Sequence, residues 1–392
     1  MLLSSAWAAS CTGSARAPYA CSSVIKGITF NWSSHQEHAS GSDNWPVTWA
    51  DDNHQYTAWG DGKGFSQSGG KKSFGVSRVI GQKDVFVGAD IYKGAAAGCS
   101  GLGGLGDNTS ICGKSYSILS YQQFLVLWAG PETGAANYSE SRFFYSRDRG
   151  QSWTQTGNYL TGYDFFHPTF LQYGKNHAGP NGGYVYLYGI EVLDGGQLAV
   201  HKPGRVFLAR QKLSDYFLPI TSAPSSQQHL FGPDGNGFHL EYYTGNDAAG
   251  QPQWGSRSDK IPVFQDSNGV GWNLSVSYNA GTQRYILMTE HDQTFAGKLG
   301  IFEAPTPWGP WKTVAYYDAW ADQTGADGDT GDQGFFWNIA NKWSSGKNFS
   351  MVFTGIGEDD SFNKVDGGFQ LTPPVTPPKK IDLVPILQLL LL

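Results

Sequence analysis

A trio of short apolar runs, spaced by turns rich in Gly, Asn and Asp, recurs five times along this chain with no helical period between the runs. The runs fall at 45–50, 55–60 and 74–80; at 115–120, 124–130 and 143–147; at 166–173, 184–192 and 206–211; at 272–278, 284–289 and 299–304; and at 336–343, 349–355 and 367–371. Middle runs rhyme between units, as in Leu125-Val126-Leu127-Trp128, Val185-Tyr186-Leu187-Tyr188 and Tyr285-Ile286-Leu287-Met288. Third runs do the same in Gly75-Val76-Ser77-Arg78, Phe144-Tyr145-Ser146-Arg147 and Phe207-Leu208-Ala209-Arg210. A long-period repeat made wholly of strands is the mark of a β-propeller, whose sheets bury their faces against one another. The expectation is therefore an all-β, five-bladed β-propeller over 28–372. Six blades is the alternative count, with extra strands drawn from 84–92 and from 229–264.

Composition fits many short strands joined by tight turns: 40% of residues are hydrophobic, 15% are aromatic and 52 are Gly. The net charge of −6 and pI near 5.8 lack the basic footprint that nucleic-acid binding requires. Residues 1–8 resemble the end of a secretory signal peptide, with Ala6-Trp7-Ala8 as the small-residue cleavage pattern, so a secreted protein is expected. Cys11 with Cys21, and Cys99 with Cys112, are close enough for two local disulfides, the first clamping an N-terminal segment over 9–27. Asn31, Asn108, Asn137, Asn273 and Asn348 each begin a glycosylation sequon. A Pro-rich linker and apolar tail over 373–392 end the chain; the tail is too short to span a bilayer.

The chemistry concentrates at one hairpin. Val47-Thr48-Trp49 and Tyr56-Thr57-Ala58-Trp59 flank Asp51-Asp52-Asn53-His54, with Asp43 before the first strand and Asp61 after the second. In an antiparallel pair the residue entering one strand lies beside the residue leaving the next, so Asp43 and Asp61 should emerge together. Asp51 and Asp52 belong to the opposite tip. Two carboxyls at a propeller mouth are what glycoside hydrolysis needs, one as proton donor and one as nucleophile or base. The local alternative is plain turn formation, since Asp in Ser-Asp-Asn and Gly-Asp-Gly settings ordinarily binds nearby amides. Glu290 is the candidate third acid. Asn44, Trp59, His167, Glu191, Asn273, His291 and Asn338 complete the expected substrate-binding rim. Trp45, Trp128, Trp272 and Trp337 offer further faces for sugar rings, although most propeller Trp residues pack between blades.

Ser146-Arg147-Asp148-Arg149-Gly150-Gln151-Ser152-Trp153 fits the Asp-box pattern Ser-x-Asp-x-Gly-x-x-Trp, in which Asp148 is a turn residue rather than a catalyst. No cofactor or metal is expected. The one oxygen-rich stretch, 322–332, lacks the closing Glu of a helix-loop-helix calcium site and reads as a surface loop, with calcium the alternative.

The opening motif Asp-Asn-Trp-Pro-x-Thr-Trp-Ala-Asp-Asp, followed by Tyr-Thr-Ala-Trp-Gly-Asp-Gly, resembles a family of secreted propellers long catalogued as a domain of unknown function. The later Ser275–Asn279 run, Trp308-Gly309-Pro310-Trp311 and Met351-Val352-Phe353 extend the resemblance over roughly 28–371. Some relatives degrade D-arabinan with a pair of aspartates near the propeller start, and Asp43 and Asp61 are the matching positions. The chain is more distantly similar to arabinanase, xylosidase and Asp-box sialidase-like propellers, but lacks a sialidase-type arginine triad. The resemblance implies a monomeric, secreted glycoside hydrolase acting on a polysaccharide. Two other functions compete with it. A polysaccharide lyase would use His167 or His291 with Tyr188 and Arg205; a non-catalytic carbohydrate-binding propeller would use the same aromatics without turnover.

Overall fold

Each apolar trio forms three antiparallel strands, and each acquires a fourth strand on its outer side. The computed structural model describes residues 12–13, 16–99, 109–131, 140–193, 198–221, 239–320, 334–355 and 360–373. The first sheet runs Val47–Trp49, Gln55–Trp59, Gly75–Gln82, Val85–Lys93, and the second Gly113–Tyr121, Phe124–Pro131, Glu140–Ser146, Thr154–Thr161. The third trio is Phe166–Gln172, Tyr184–Ile190 and Arg205–Lys212, widened by Glu241–Asn246 and Pro252–Gly255. The fourth set, Ser275–Asn279, Arg284–Glu290, Leu299–Ala304 and Lys312–Tyr316, joins the third through a parallel pairing of Leu171 with Val276. The last set, Phe335–Ile339, Asn348–Thr354 and Phe362–Leu371, takes Ile25–His38 from the start of the chain as its outer strand. Strands far apart in sequence are thus tied into one sheet. Strand Val85–Lys93 belongs to the first sheet, and the strands between 239 and 264 extend the third, so both stretches widen existing sheets. The fold is nearly all-β; Leu213–Thr221 is the one α-helix among the described residues.

The first strands of the five sets are linked in a closed cycle by side chains that bind the next set's backbone. Asn44 Nδ2 donates to Ser115 O, Ser117 Oγ to Pro168 O at 2.9 Å, and Thr169 Oγ1 to Leu274 O at 3.1 Å. Ser275 Oγ then donates to Trp337 O at 2.5 Å, and Asn338 Nδ2 to Trp45 O at 3.2 Å, which returns to the first set. These polar side chains are buried, and pairing them with backbone carbonyls removes the penalty of leaving either group unsatisfied.

Four of the five first strands also carry an extra residue where they begin. Register shifts lie between Ser115 and Ser117, Phe166 and Thr169, and Phe335 and Asn338; the first sheet passes from the Asp43–Gly60 pair to the Val47–Thr57 pair with one residue more on the inner side. Asn44, His167 and Phe336 sit in these bulges with φ of 66°, 49° and 50°. A bulge with a left-handed residue turns the strand end and re-aims its side chains, and here it does so at the same end of several sheets.

Apolar packing fills the space between sheets. Trp45, Trp59, Trp128, Trp153 and Trp337 are all fully buried. Gly75 has no room for a side chain, because a Cβ there would lie 2.2 Å from the Trp59 ring. In the turn after Glu140–Ser146, Asp148 accepts from Ser152 N–H and O–H at 2.9 and 2.6 Å, while Trp153 Nε1 donates to Gly150 O beneath it. Those bonds hold the Asp148 carboxyl below its usual range despite opposing desolvation. Asp148 is a structural residue of that turn.

Residues 1–8, Cys11, Asn108, Asn137, the segment 322–332 and the tail beyond 373 lie outside the described residues. Cys21 is disulfide-bonded. Of the other sequons, Asn31 and Asn348 are exposed; Asn273 is buried, which leaves its amide no room for a glycan. Among the described residues no helix is long and apolar enough to cross a membrane.

Candidate functional site

Asp43 and Gly60 exchange two backbone hydrogen bonds, 3.0 and 2.9 Å long, and close the end of the first hairpin. Asp61 follows Gly60 directly with φ of 52°, so both acids leave the hairpin at one end. Downstream of Asp61 the chain is pinned. Gly64 N–H donates to Ser42 Oγ, and Phe65 and Ser66 N–H donate to the buried Asp90 carboxylate. At the opposite tip, Asp52 accepts from His54 N–H and Tyr56 O–H, and Arg149 pairs with both Asp51 and Asp52. Those two acids are turn residues.

The residue that brings Asp43 and Asp61 together is Lys114, at the start of strand Gly113–Tyr121 in the second sheet. Its side chain is 7% exposed, and its ammonium lies 3.5 Å from both Asp43 carboxylate oxygens and in direct contact with Asp61 Oδ2. One small cation thus lies between the two carboxylates. Asp43 is 16% exposed and Asp61 47%, so the pair runs from a buried member to one that faces solvent. Burial pushes the Asp43 carboxyl up to about 6; Lys114 opposes that shift, and the Asp61 and Asp360 charges add to it.

A disulfide stands behind the cation. Cys99 and Cys112 are bonded, and Cys112 lies two residues before Lys114. Replacing both cysteines by Ser should lower stability by about 3 kcal/mol, the loop-closure value for a crosslink of this span. A lower urea midpoint is the expected readout.

The other sequence candidates divide into two groups. Some lie at the strand starts, buried and with polar atoms that lack a protein partner. Neither ring nitrogen of His167 and neither side-chain polar atom of Asn273 has a protein hydrogen-bond partner, and both residues are buried. His167 packs against Tyr116 and Trp272 at centroid distances of 4.4 and 5.9 Å, and desolvation holds its ring well below its ordinary pKa. Asn44 Oδ1 is also unpartnered; Asn338 is committed to Trp45 O and Phe336 O.

Others are used up by structure. Trp59 is fully buried with Nε1 donating to Ser77 Oγ at 2.7 Å, so it is a core residue and offers no sugar platform. Trp45, Trp128, Trp272 and Trp337 are buried as well. His291 bonds Asp292 at 2.9 Å and Tyr317 O at 3.0 Å and stacks on Tyr316 at 3.7 Å, which leaves no ring nitrogen free for substrate. Glu191 is paired with Arg205 at 3.1 Å. Glu290 does not join the aspartates: the charges that act most on Asp43 are Lys114, Asp61 and Asp360. Its carboxyl is buried, accepts from Phe295 N–H at 2.7 Å and is pushed up to about 8 by desolvation. For a lyase, Tyr188 O–H is already donated to Pro307 O at 2.7 Å and Arg205 is bound to Glu191.

Lys114 is the residue of this cluster that sequence reasoning missed. A signal existed, a lone Lys heading an apolar strand two residues after a cysteine, but nothing in the sequence says which carboxylate such a Lys meets.

No protein-family model and no curated protein sequence matches this chain. Among solved structures it is similar to a GH43_1 enzyme from Xanthomonas citri, at 10% identity over 85% of this chain and 90% of that one, with a TM-score of 0.45. A xylan β-1,4-xylosidase from Bacillus halodurans C-125 aligns at 9% identity over 86% of this chain and 53% of that one, again at 0.45. Zg3597, a family 117 glycoside hydrolase from Zobellia galactanivorans, aligns at 10% identity over 91% of each chain with a TM-score of 0.42.

Proposed function

We propose that the chain is a secreted glycoside hydrolase on a five-bladed β-propeller, cleaving a polysaccharide with Asp43 and Asp61. One observation carries the reading: the two acids, from opposite strands of one hairpin, meet at the same cation where one of them faces solvent. Asp43, whose carboxyl is pushed up to about 6, is the proton donor to the leaving glycosidic oxygen. Asp61, the exposed member, attacks the anomeric carbon as the C–O bond breaks. Water then displaces the sugar from Asp61, giving its proton to the Asp43 carboxylate. Net retention of configuration follows from the two successive displacements.

The test is a panel of neutral and uronate-containing polysaccharides, with arabinans and xylans included, read by product mass. The expected result is oligosaccharides carrying one added water. Products that absorb in the ultraviolet, one water lighter than the hydrolysis product, would establish a lyase; binding without products would establish a carbohydrate-binding propeller.

A further inference from the structure

Lys114 is the described cation that touches both members of the acid pair, and it comes from a different sheet. A buried Lys is costly unless its charge is matched, and two carboxylates against one ammonium leave the cluster one negative charge in excess. That excess rests on whichever acid is less well paired. Asp61 is in direct contact with Nζ, whereas both Asp43 oxygens stand back at 3.5 Å. Asp43 also has less room to reach water, and Asp360 is a further negative group acting on it. Asp43 is therefore the less closely paired acid of the two.

We propose that Lys114 is a positioning residue that anchors the Asp61 carboxylate beside Asp43 and offsets part of the pair's negative charge. Its consequence for catalysis rests on the hydrolase reading, because a retaining pair works only if one acid is protonated while the other is anionic. The anchoring itself is a property of the cluster and is testable without substrate. A Lys at this position also fixes the distance between hairpin and neighbouring sheet, since its stem spans from Gly113–Tyr121 to the end of Gln55–Trp59.

The test is a carbon-13 titration of the full chain labelled at aspartate, with the Asp43 side-chain signal identified by its loss in Asp43→Asn. The groups facing Asp43 that set its midpoint are Lys114, Asp61 and Asp360. Wild-type Asp43 should titrate near 6. In Lys114→Met the midpoint should rise by about 1 to 3 pH units, the usual effect of removing a neighbouring opposite charge. In Asp61→Asn it should fall, because a like charge is removed and the cation is released to Asp43. Lys114→Arg should restore a near-wild-type value. If Lys114→Met does not fold, Lys114→Gln takes its place, with the same upward shift expected and Lys114→Arg as its rescue. An Asp43 midpoint that stays fixed in Asp61→Asn, or moves the same way in folded Lys114→Met, overturns the proposal. The expected shifts in a protein that releases no sugar would uphold this role for Lys114 and remove the hydrolase reading.

Discussion

Replacing Asp43 by Asn should lower polysaccharide turnover on the order of 10²–10⁴-fold while leaving carbohydrate affinity within a few-fold, since only the proton-transfer step is lost. The same substitution should stabilise the protein at neutral and alkaline pH. The folded-state carboxyl titrates near 6 against an ordinary value of 3.8, so folding favours its protonated form. Above 6 the group is ionised in both states and its burial costs the folded one; below 3.8 it is protonated in both and costs nothing. An uncharged amide should therefore gain about 3 kcal/mol at pH 8, shrinking to nothing as the pH falls toward 3.5. Thermal melts of wild type and variant at those two pH values check the sign. A loss of activity joined to a gain in stability is what a charge held in place for function produces, and a merely structural acid would show neither in this combination.

The second large effect belongs to Glu290. Its buried carboxyl is raised to about 8 from 4.5, with Phe295 N–H as its one hydrogen-bond donor and Oε2 left without a partner. At pH 7 the folded state holds a proton there that the unfolded state has released, so stability contributed at low pH is progressively lost as pH rises from about 4.5 to about 8. Glu290→Gln keeps the acceptor for Phe295 and removes the ionisation, and should raise stability by about 3 kcal/mol at pH 7 and change little at pH 4. Urea unfolding at the two pH values measures it. A variant less stable than wild type at pH 7 would mean that the carboxyl holds its charge through a partner, and that desolvation is not the governing cause.

Much of this architecture was legible because the repeat is written in apolar runs. The trios 45–80, 115–147, 166–211, 272–304 and 336–371 all became sheets, since near-continuous apolar strands have only other sheets to pack against. The outer strands were harder to see. Ile25–His38 and Thr154–Thr161 mix polar and apolar residues in the manner of loops, and pairing with a sheet edge, far away in sequence for Ile25–His38, makes them strands. The juxtaposition of Asp43 and Asp61 followed from hairpin geometry alone, a local property. Lys114 did not, because its contact with them crosses from one sheet to the next and leaves no periodic trace. Trp59 and His291 failed as ligand residues for a related reason. Position at a strand end says that a side chain is near the mouth, but burial of Trp59 against Gly75 and stacking of His291 on Tyr316 are set by packing between strands.

Digestion in water enriched in oxygen-18 is the most direct measurement. If Asp43 and Asp61 hydrolyse a glycosidic bond, each cleavage should place a single heavy oxygen at the new reducing end, and the Asp43→Asn, Asp61→Asn double variant should place none. Products released without the label, or labelled equally by the double variant, would contradict the role given to this pair.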